Sequence, residues 1–94
     1  MSRAKPGWWV YIVRCADGTL YTGATTDVSR RVQQHNVGTA SKYTHARRPV
    51  TLVYHQRAAS HGAALRREAA IKRLTRRGKE ALINKQRHSA RKNR

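Results

Sequence analysis

Acidic side chains are scarce in this chain. Four Asp and Glu stand against 21 Lys and Arg in 94 residues, a formal net charge of +17. There is one cysteine, Cys15, which excludes an internal disulfide and a Cys-based zinc site. No run approaches the ~18–20 apolar residues of a membrane span, so an integral membrane protein is excluded. No leading segment has the order of a signal peptide, and a cytoplasmic protein is expected. A GxxxxGK[ST] loop is missing, which argues against NTP hydrolysis. The five histidines (35, 45, 55, 61 and 88) show neither His-x-His nor HExxH spacing, which argues against a zinc hydrolase. Internal repeats are absent too, and so short a chain has no room for a second hydrophobic core.

What is present is a small basic globule. Apolar residues make up 38% of the chain, too many for a wholly disordered basic tail. So high a charge repels itself and makes most sense beside a polyanion, since each Lys or Arg that neutralises a phosphate releases counterions. Nucleic acid is the expected partner. No helix couples a large apolar face to its charge, so a membrane surface is not expected.

Residues 1–7 (MSRAKPG) read as a flexible start. Trp8 to Cys15 (WWVYIVRC) is β-branched and aromatic, hence a strand, and its two apolar faces imply cover on both sides. Ala16-Asp17-Gly18 is a turn, and Leu20 to Ala24 is a second strand. A helix is predicted from Asp27 to Asn36, stopped by Gly38. Residues 38–49 form a basic loop before a third strand, Val50 to His55. Ser60 caps a helix over His61 to Leu74, and a short helix follows to about Asn84. Residues 85–94 hold five Lys and Arg with no acid or large apolar side chain, and read as a disordered basic tail. The order β-β-α-β-α-α describes one α+β domain over residues 8–84, a three-stranded sheet flanked by about three helices.

The four acids can be taken one by one. Asp17 suits the hairpin turn, Asp27 the helix start, and Glu80 a pair with Arg76 or Arg77 at helical spacing. Glu68 differs. With Leu65 and Ile71 three residues to either side, it lies on an apolar stripe, where a carboxylate must be paired, hydrogen-bonded or bound to a metal. It is either one half of a salt bridge or a ligand for a hard divalent cation. One carboxylate cannot hold two metals. In the first helix Val28, Arg31, Val32 and His35 share a face, so Arg31 and His35 point inward. Arg31 is then a structural partner for Glu68 or a phosphate clamp opposite a metal. A two-residue Asp-Gly loop would set Tyr11 and Tyr21 on opposite faces. A three-residue loop with Gly18 in a left-handed conformation would pair Val13 with Tyr21 and set both tyrosines on one face. Both loops suit the residues.

Trp9-Val10-Tyr11, Tyr21-Thr22-Gly23, Arg31, His35 and the helical Glu68 together resemble the GIY-YIG nuclease superfamily, most closely its small single-domain bacterial branch. The likeness covers about residues 8–84. It implies a metal-dependent phosphodiesterase on a three-stranded antiparallel sheet. By the same resemblance Tyr21 would be the general base or water-orienting group, and Tyr11 would support the water and the scissile phosphate. Arg31 would stabilise phosphoryl charge, His35 would sit near the nucleophile, and Glu68 would hold one Mg²⁺ or Mn²⁺. Asn84 is a weaker match to an Asn that often follows the Glu helix. Trp9 stands where the family has Gly, Val10 and Thr22 where it has Ile, and Ala24 where some relatives carry Lys.

A Tyr base is chemically coherent only if positive charge lowers its ordinary pKa of about 10. Lys42, Tyr43, His45, Arg47 and Arg48, on the loop before the third strand, form a basic aromatic edge suited to phosphates and bases. The expected activity is a one-metal DNA endonuclease, monomeric, reading strand structure (single-stranded or branched DNA, with RNA open) rather than a long sequence, in repair, recombination or processing. The alternative is a non-catalytic nucleic-acid-binding module on the same fold. Glu68 separates the two, because binding tolerates its loss and catalysis does not.

Overall fold

A computed structural model describes residues 7–92, with side chains through residue 88. The elements are β1 (Trp8–Arg14), β2 (Leu20–Thr25), α1 (Val28–Val37), α2 (Lys42–His45), β3 (Thr51–Ala58), α3 (His61–Lys72) and α4 (Arg76–Lys92). The sheet is antiparallel with order β2-β1-β3. β1 is the central strand, which explains why it is apolar on both faces. Val10 and Ile12 pack with Tyr54, Ala64, Ile71 and Ile83 under α3 and α4. Tyr11 and Val13 join Cys15 and Val50 on the other face, against Val28 and Val32 of α1. The α+β class and three-stranded antiparallel sheet agree with expectation. The four-residue α2, inside the basic loop, is additional.

The hairpin has the three-residue loop. Val13 pairs with Tyr21 and Arg14 with Leu20. Gly18 takes φ +87°, a left-handed conformation that suits glycine. Asp17 Oδ1 accepts from the Thr19 amide at 3.0 Å, closing the turn. Tyr11 and Tyr21 therefore share a face.

α1 lies within one residue of its predicted span. Asp27 accepts from the Arg30 amide at its start, and Gly38 ends it at φ +91°. Ser60 caps α3 as predicted, accepting from the Ala63 amide. β3 runs three residues past its predicted end, to Ala58.

Two readings are corrected. Leu65 does not lie on the buried stripe of α3; it is 49% exposed, while Ala64 and Ile71 are fully buried. The inward face is Ala64, Arg67, Glu68 and Ile71, because α3 comes so close to the sheet that alanine fits where leucine would not. Residues 85–92 are not a disordered tail but the continuation of α4. Gln86 shows why. Its side-chain amide accepts from the His55 amide at 3.1 Å and donates to the His55 carbonyl at 2.7 Å. It thus stands in for a neighbouring strand on the open edge of β3. Residues 1–6, 93 and 94 lie outside the described residues.

Glu80 pairs with Arg76, as its spacing predicts, and also with a residue the spacing does not reveal. Arg14 at the end of β1 holds it in a two-pronged contact, 2.9 Å to each carboxylate oxygen. Arg76 reaches on to the Gly18 carbonyl at 2.8 Å. α4 is thereby fastened to the hairpin. Hydrogen bonds from Arg14, and then Arg76, lower the Glu80 pKa from 4.5 to about 2. A depressed carboxyl contributes stability that is present above its unfolded pKa and lost as pH falls towards the folded one. Glu80→Gln should lower Tm at pH 7 by roughly 4–8 °C, equivalent to about 1 kcal/mol. In thermal melts across pH, the gap between variant and wild type should close between pH 4.5 and about 2.

Candidate active site

The site is built on the sheet face that carries Tyr11 and Tyr21. Gly23 pairs with Tyr11 across β1 and β2. A Cβ at Gly23 would lie 2.5 Å from Tyr11 Oη and 2.7 Å from Cζ. The glycine of Tyr21-Thr22-Gly23 is therefore the floor on which the Tyr11 ring lies.

Tyr11 Oη lies 2.8 Å from His35 Nε2, and both residues are buried, 2% and 1% exposed. His35 Nδ1 lies 2.7 Å from Thr44 Oγ1, and Thr44 is wholly buried. Thr44 in turn sits at the N-terminus of α2, where its amide donates to Ser41 Oγ at 3.0 Å. Burial and then the neighbouring Tyr21 push the Tyr11 phenol well above its usual range; Arg31 pulls it back, and Glu68 adds to the rise. Burial, with Arg31 beside it, pushes His35 down. Tyr11 thus keeps its proton at neutral pH, and His35 is uncharged. Among the described residues His35 Nε2 is the acceptor within reach of the Tyr11 hydroxyl; with the phenol donating to it, the imidazole proton lies on Nδ1, towards Thr44 Oγ1.

Tyr21 is more open than Tyr11. Its ring meets the His35 ring edge-on at 5.2 Å and stacks on Tyr43 at 5.9 Å. Arg31 reaches in from α1, and its Nε is buried with no hydrogen-bond partner among the described residues. Such an orphaned donor costs about 1–3 kcal/mol unless something fills it. Glu68 enters from α3, 18% exposed, paired to Lys72 at 2.9 Å.

Comparisons with known proteins identify the domain that carries these residues. Residues 7–84 match the GIY-YIG catalytic domain family. The chain belongs to the GIY-YIG family. The family is one of nucleases. The UPF0213 protein of Halobacterium salinarum is 55% identical over 79% of this chain and 96% of its own length. That of Desulfotalea psychrophila is 49% identical over 84% and 73%. The solution structure of a Bacillus halodurans UPF0213 protein has a TM-score of 0.55 at 45% identity, covering 83% of each chain. The E. faecalis protein EF2693 has a TM-score of 0.60 at 35% identity, covering 89% of this chain and 90% of its own.

In this GIY-YIG domain Tyr11, Tyr21, Arg31 and His35 converge, and Glu68 is near enough to act electrostatically on Tyr11. Asn84 is exposed on α4 and makes no hydrogen bond to any of them among the described residues. The loop residues divide. Tyr43 is taken up by Tyr21 and by the Arg47 guanidinium, 3.9 Å from its ring centroid. Arg47 also holds Asp17 Oδ2 at 3.1 Å and the Tyr43 carbonyl at 2.8 Å. Arg48 donates to the His45 carbonyl at 2.8 Å, and His45 Nδ1 lies 3.1 Å from the Gly38 carbonyl. These contacts make the loop a brace for Tyr21; Lys42 is exposed to solvent.

The sequence reading missed Thr44 and Ser41. Ser41, three residues before Thr44 and followed by a basic stretch, was a legible helix-cap signal. Its partnership with His35 was not, since that depends on how α1 and α2 pack.

Glu68 is a lone carboxylate paired to Lys72, able to give a hard cation its own two oxygens and no more. Glu68 offers oxygen ligands alone, and no group of three or more His, Cys, Asp or Glu that could hold a metal exists among the described residues. Mg²⁺ keeps most of its waters and is commonly held by one or two carboxylates with substrate phosphates.

Thr44→Val should leave His35 Nδ1–H buried without an acceptor, destabilising the fold by about 1–3 kcal/mol in urea titrations, while Thr44→Ser should retain most of the stability. Nitrogen-detected NMR of His35 should show Nδ1 protonated in wild type and in Thr44→Ser, and a tautomer mixture in Thr44→Val.

Proposed function

We propose that this chain is a metal-dependent endonuclease that hydrolyses phosphodiester bonds in DNA, selective for strand structure rather than for a long sequence. The observation that carries the reading is Arg31 Nε, a buried donor with no hydrogen-bond partner among the described residues, on a side chain whose charge acts on Tyr11 and His35. A non-bridging phosphate oxygen is the ligand such a donor suits, and Arg offers five donors in a fixed fork.

Each residue then has a task. Arg31 binds the phosphate and offsets the charge that grows on its oxygens. Tyr21, the more accessible tyrosine, orients the attacking water through Oη. Tyr11 supports water and phosphate from below, and its hydrogen bond to His35 Nε2 provides a place for a proton to go. A neutral His35, anchored by Thr44, is ready to receive it. Glu68 would hold one Mg²⁺ or Mn²⁺, which supplies Lewis-acid stabilisation of the leaving oxygen when bound. The net charge of +17 draws in the polyanion. The chain would act in the cytoplasm as a monomer, in repair, recombination or processing, with RNA as a further substrate class.

One observation favours the second reading, a non-catalytic binding module. Glu68 already has a cation in Lys72. Lys72 is 55% exposed, however, and a solvent-screened pair of this kind is worth at most about 1 kcal/mol, so a divalent ion displaces it readily.

Labelled single-stranded, duplex and branched DNA incubated with Mg²⁺, Mn²⁺ or EDTA provides the test. Glu68→Gln and Arg31→Ala should each slow cleavage at least 100-fold, about 3 kcal/mol of transition-state stabilisation. Glu68→Gln should bind DNA as wild type does. Cleavage that persists in EDTA, or in metal-replete Glu68→Gln, would overturn the one-metal reading.

A further inference from the structure

The two tryptophans at the start of β1 have different surroundings. Trp8 packs against the core under α3 and stacks on His61, ring centroids 3.9 Å apart. Trp9 faces the other way and is packed against neither apolar cluster among the described residues. It is half-buried, and its ring neighbours are exposed: His55, tilted at 5.6 Å, and Arg57, whose guanidinium carbon lies 5.7 Å from the ring centroid. Beside the ring is a hollow of about 270 Å³, lined by Trp9, Leu52, Val28 and His55, with Thr26, Ser29 and the α1 cap Asp27 as its polar groups. The ring thus lies half-buried beside an open hollow, with His55 and Arg57 as its ring neighbours.

Its position relates it to the active site. Trp9 and Tyr11 are two residues apart on one strand, so they share a face about 7 Å apart, the length of one to two nucleotides of a strand. His55 is the cross-strand partner of Tyr11, and Arg57 that of Trp9. An aromatic ring flanked by an imidazole and a guanidinium, on the face that carries the proposed phosphate site, has the composition of a single-strand stacking platform.

We propose that Trp9, with His55 and Arg57 at its rim, binds an unpaired nucleobase next to the scissile phosphate. The proposal rests on the nuclease reading for the word scissile alone; the base site itself needs no catalysis. A base inside an intact duplex is stacked on its neighbours and cannot offer its face to Trp9. The platform therefore selects strands that are single-stranded or opened near the cleavage point. It also gives a use to a tryptophan where the family pattern has glycine.

Metal-free binding tests this independently of cleavage. In EDTA, a short fluorescent oligothymidylate and an intact duplex of equal length are titrated with wild type, Trp9→Ala, Trp9→Leu and Trp9→Tyr. Trp9→Leu preserves bulk without a ring, should Trp9→Ala fail to fold; thermal melts report which variants are folded. Loss of the ring should weaken single-strand binding by about 5- to 150-fold, the equivalent of about 1–3 kcal/mol, and Trp9→Tyr should recover most of it. Duplex affinity should change less than about twofold. With Trp8→Phe leaving Trp9 the sole tryptophan, single strand should quench its fluorescence, and an abasic oligonucleotide should quench it far less. Wild-type affinity in folded Trp9→Leu, or equal losses for single strand and duplex, would overturn the platform. If wild type cleaves DNA while folded Trp9→Leu binds single strand normally, the platform fails and the nuclease reading stands. If wild type binds and quenches but never cleaves with any metal, the nuclease reading fails and the platform stands.

Discussion

The contact between Tyr11 and His35, 2.8 Å long and shut away from water, is the point on which the site depends. Two polar groups in such a place must satisfy each other and leave nothing over. That requirement spreads outward. Tyr11 can lie flat over β2 because Gly23 has no side chain. His35 can place its second nitrogen because Thr44 is brought up by α2, which Ser41 caps. α1 must begin and end where it does to aim both His35 and Arg31 inward, and Asp27 and Gly38 see to that. Beside that network, Arg31 Nε is a buried polar atom without a hydrogen-bond partner among the described residues.

The scarcity of acids gives the fold a second constraint. Asp17 closes the hairpin and holds Arg47, Asp27 caps α1, and Glu80 joins β1 to α4. These three carboxylates are committed to holding elements together. Glu68 has an exposed lysine as partner and is the one acid whose tie a cation could replace at little cost. Most of the other Lys and Arg among the described residues are turned towards solvent. That is a stable arrangement beside a polyanion and a self-repelling one without it.

Side-chain amides complete what a three-stranded sheet leaves open. Gln86 occupies both backbone groups of His55 on the outer edge of β3. Asn36 does the same for Val50, accepting from its amide at 2.7 Å and donating to its carbonyl at 3.1 Å. Composition could not reveal this. The stretch containing Gln86 is polar and basic, as a disordered tail is, and is ordered through a strand edge distant in sequence. Leu65 shows a similar limit. Stripes through Leu65 or through Ala64 both include Glu68 and Ile71, and the choice rests on how closely α3 approaches the sheet.

Periodicity and turn chemistry are local, and they determined the order of elements, the cover on both faces of β1, the caps at Asp27, Gly38 and Ser60, and the inward aim of Arg31 and His35. The motif pattern marks Tyr11, Tyr21, Arg31, His35 and Glu68 by residue type and spacing alone. Between two acceptable hairpin loops, the register had to be decided by packing, because both loops satisfy the turn and only one places Val13 and Tyr21 together against α1. Thr44 behind His35, the brace formed by Tyr43 and Arg47, the Arg14–Glu80 tie and the hollow beside Trp9 were likewise settled by tertiary structure. Each joins residues far apart in the chain, and whether such groups meet depends on the packing of whole elements, which no local pattern encodes.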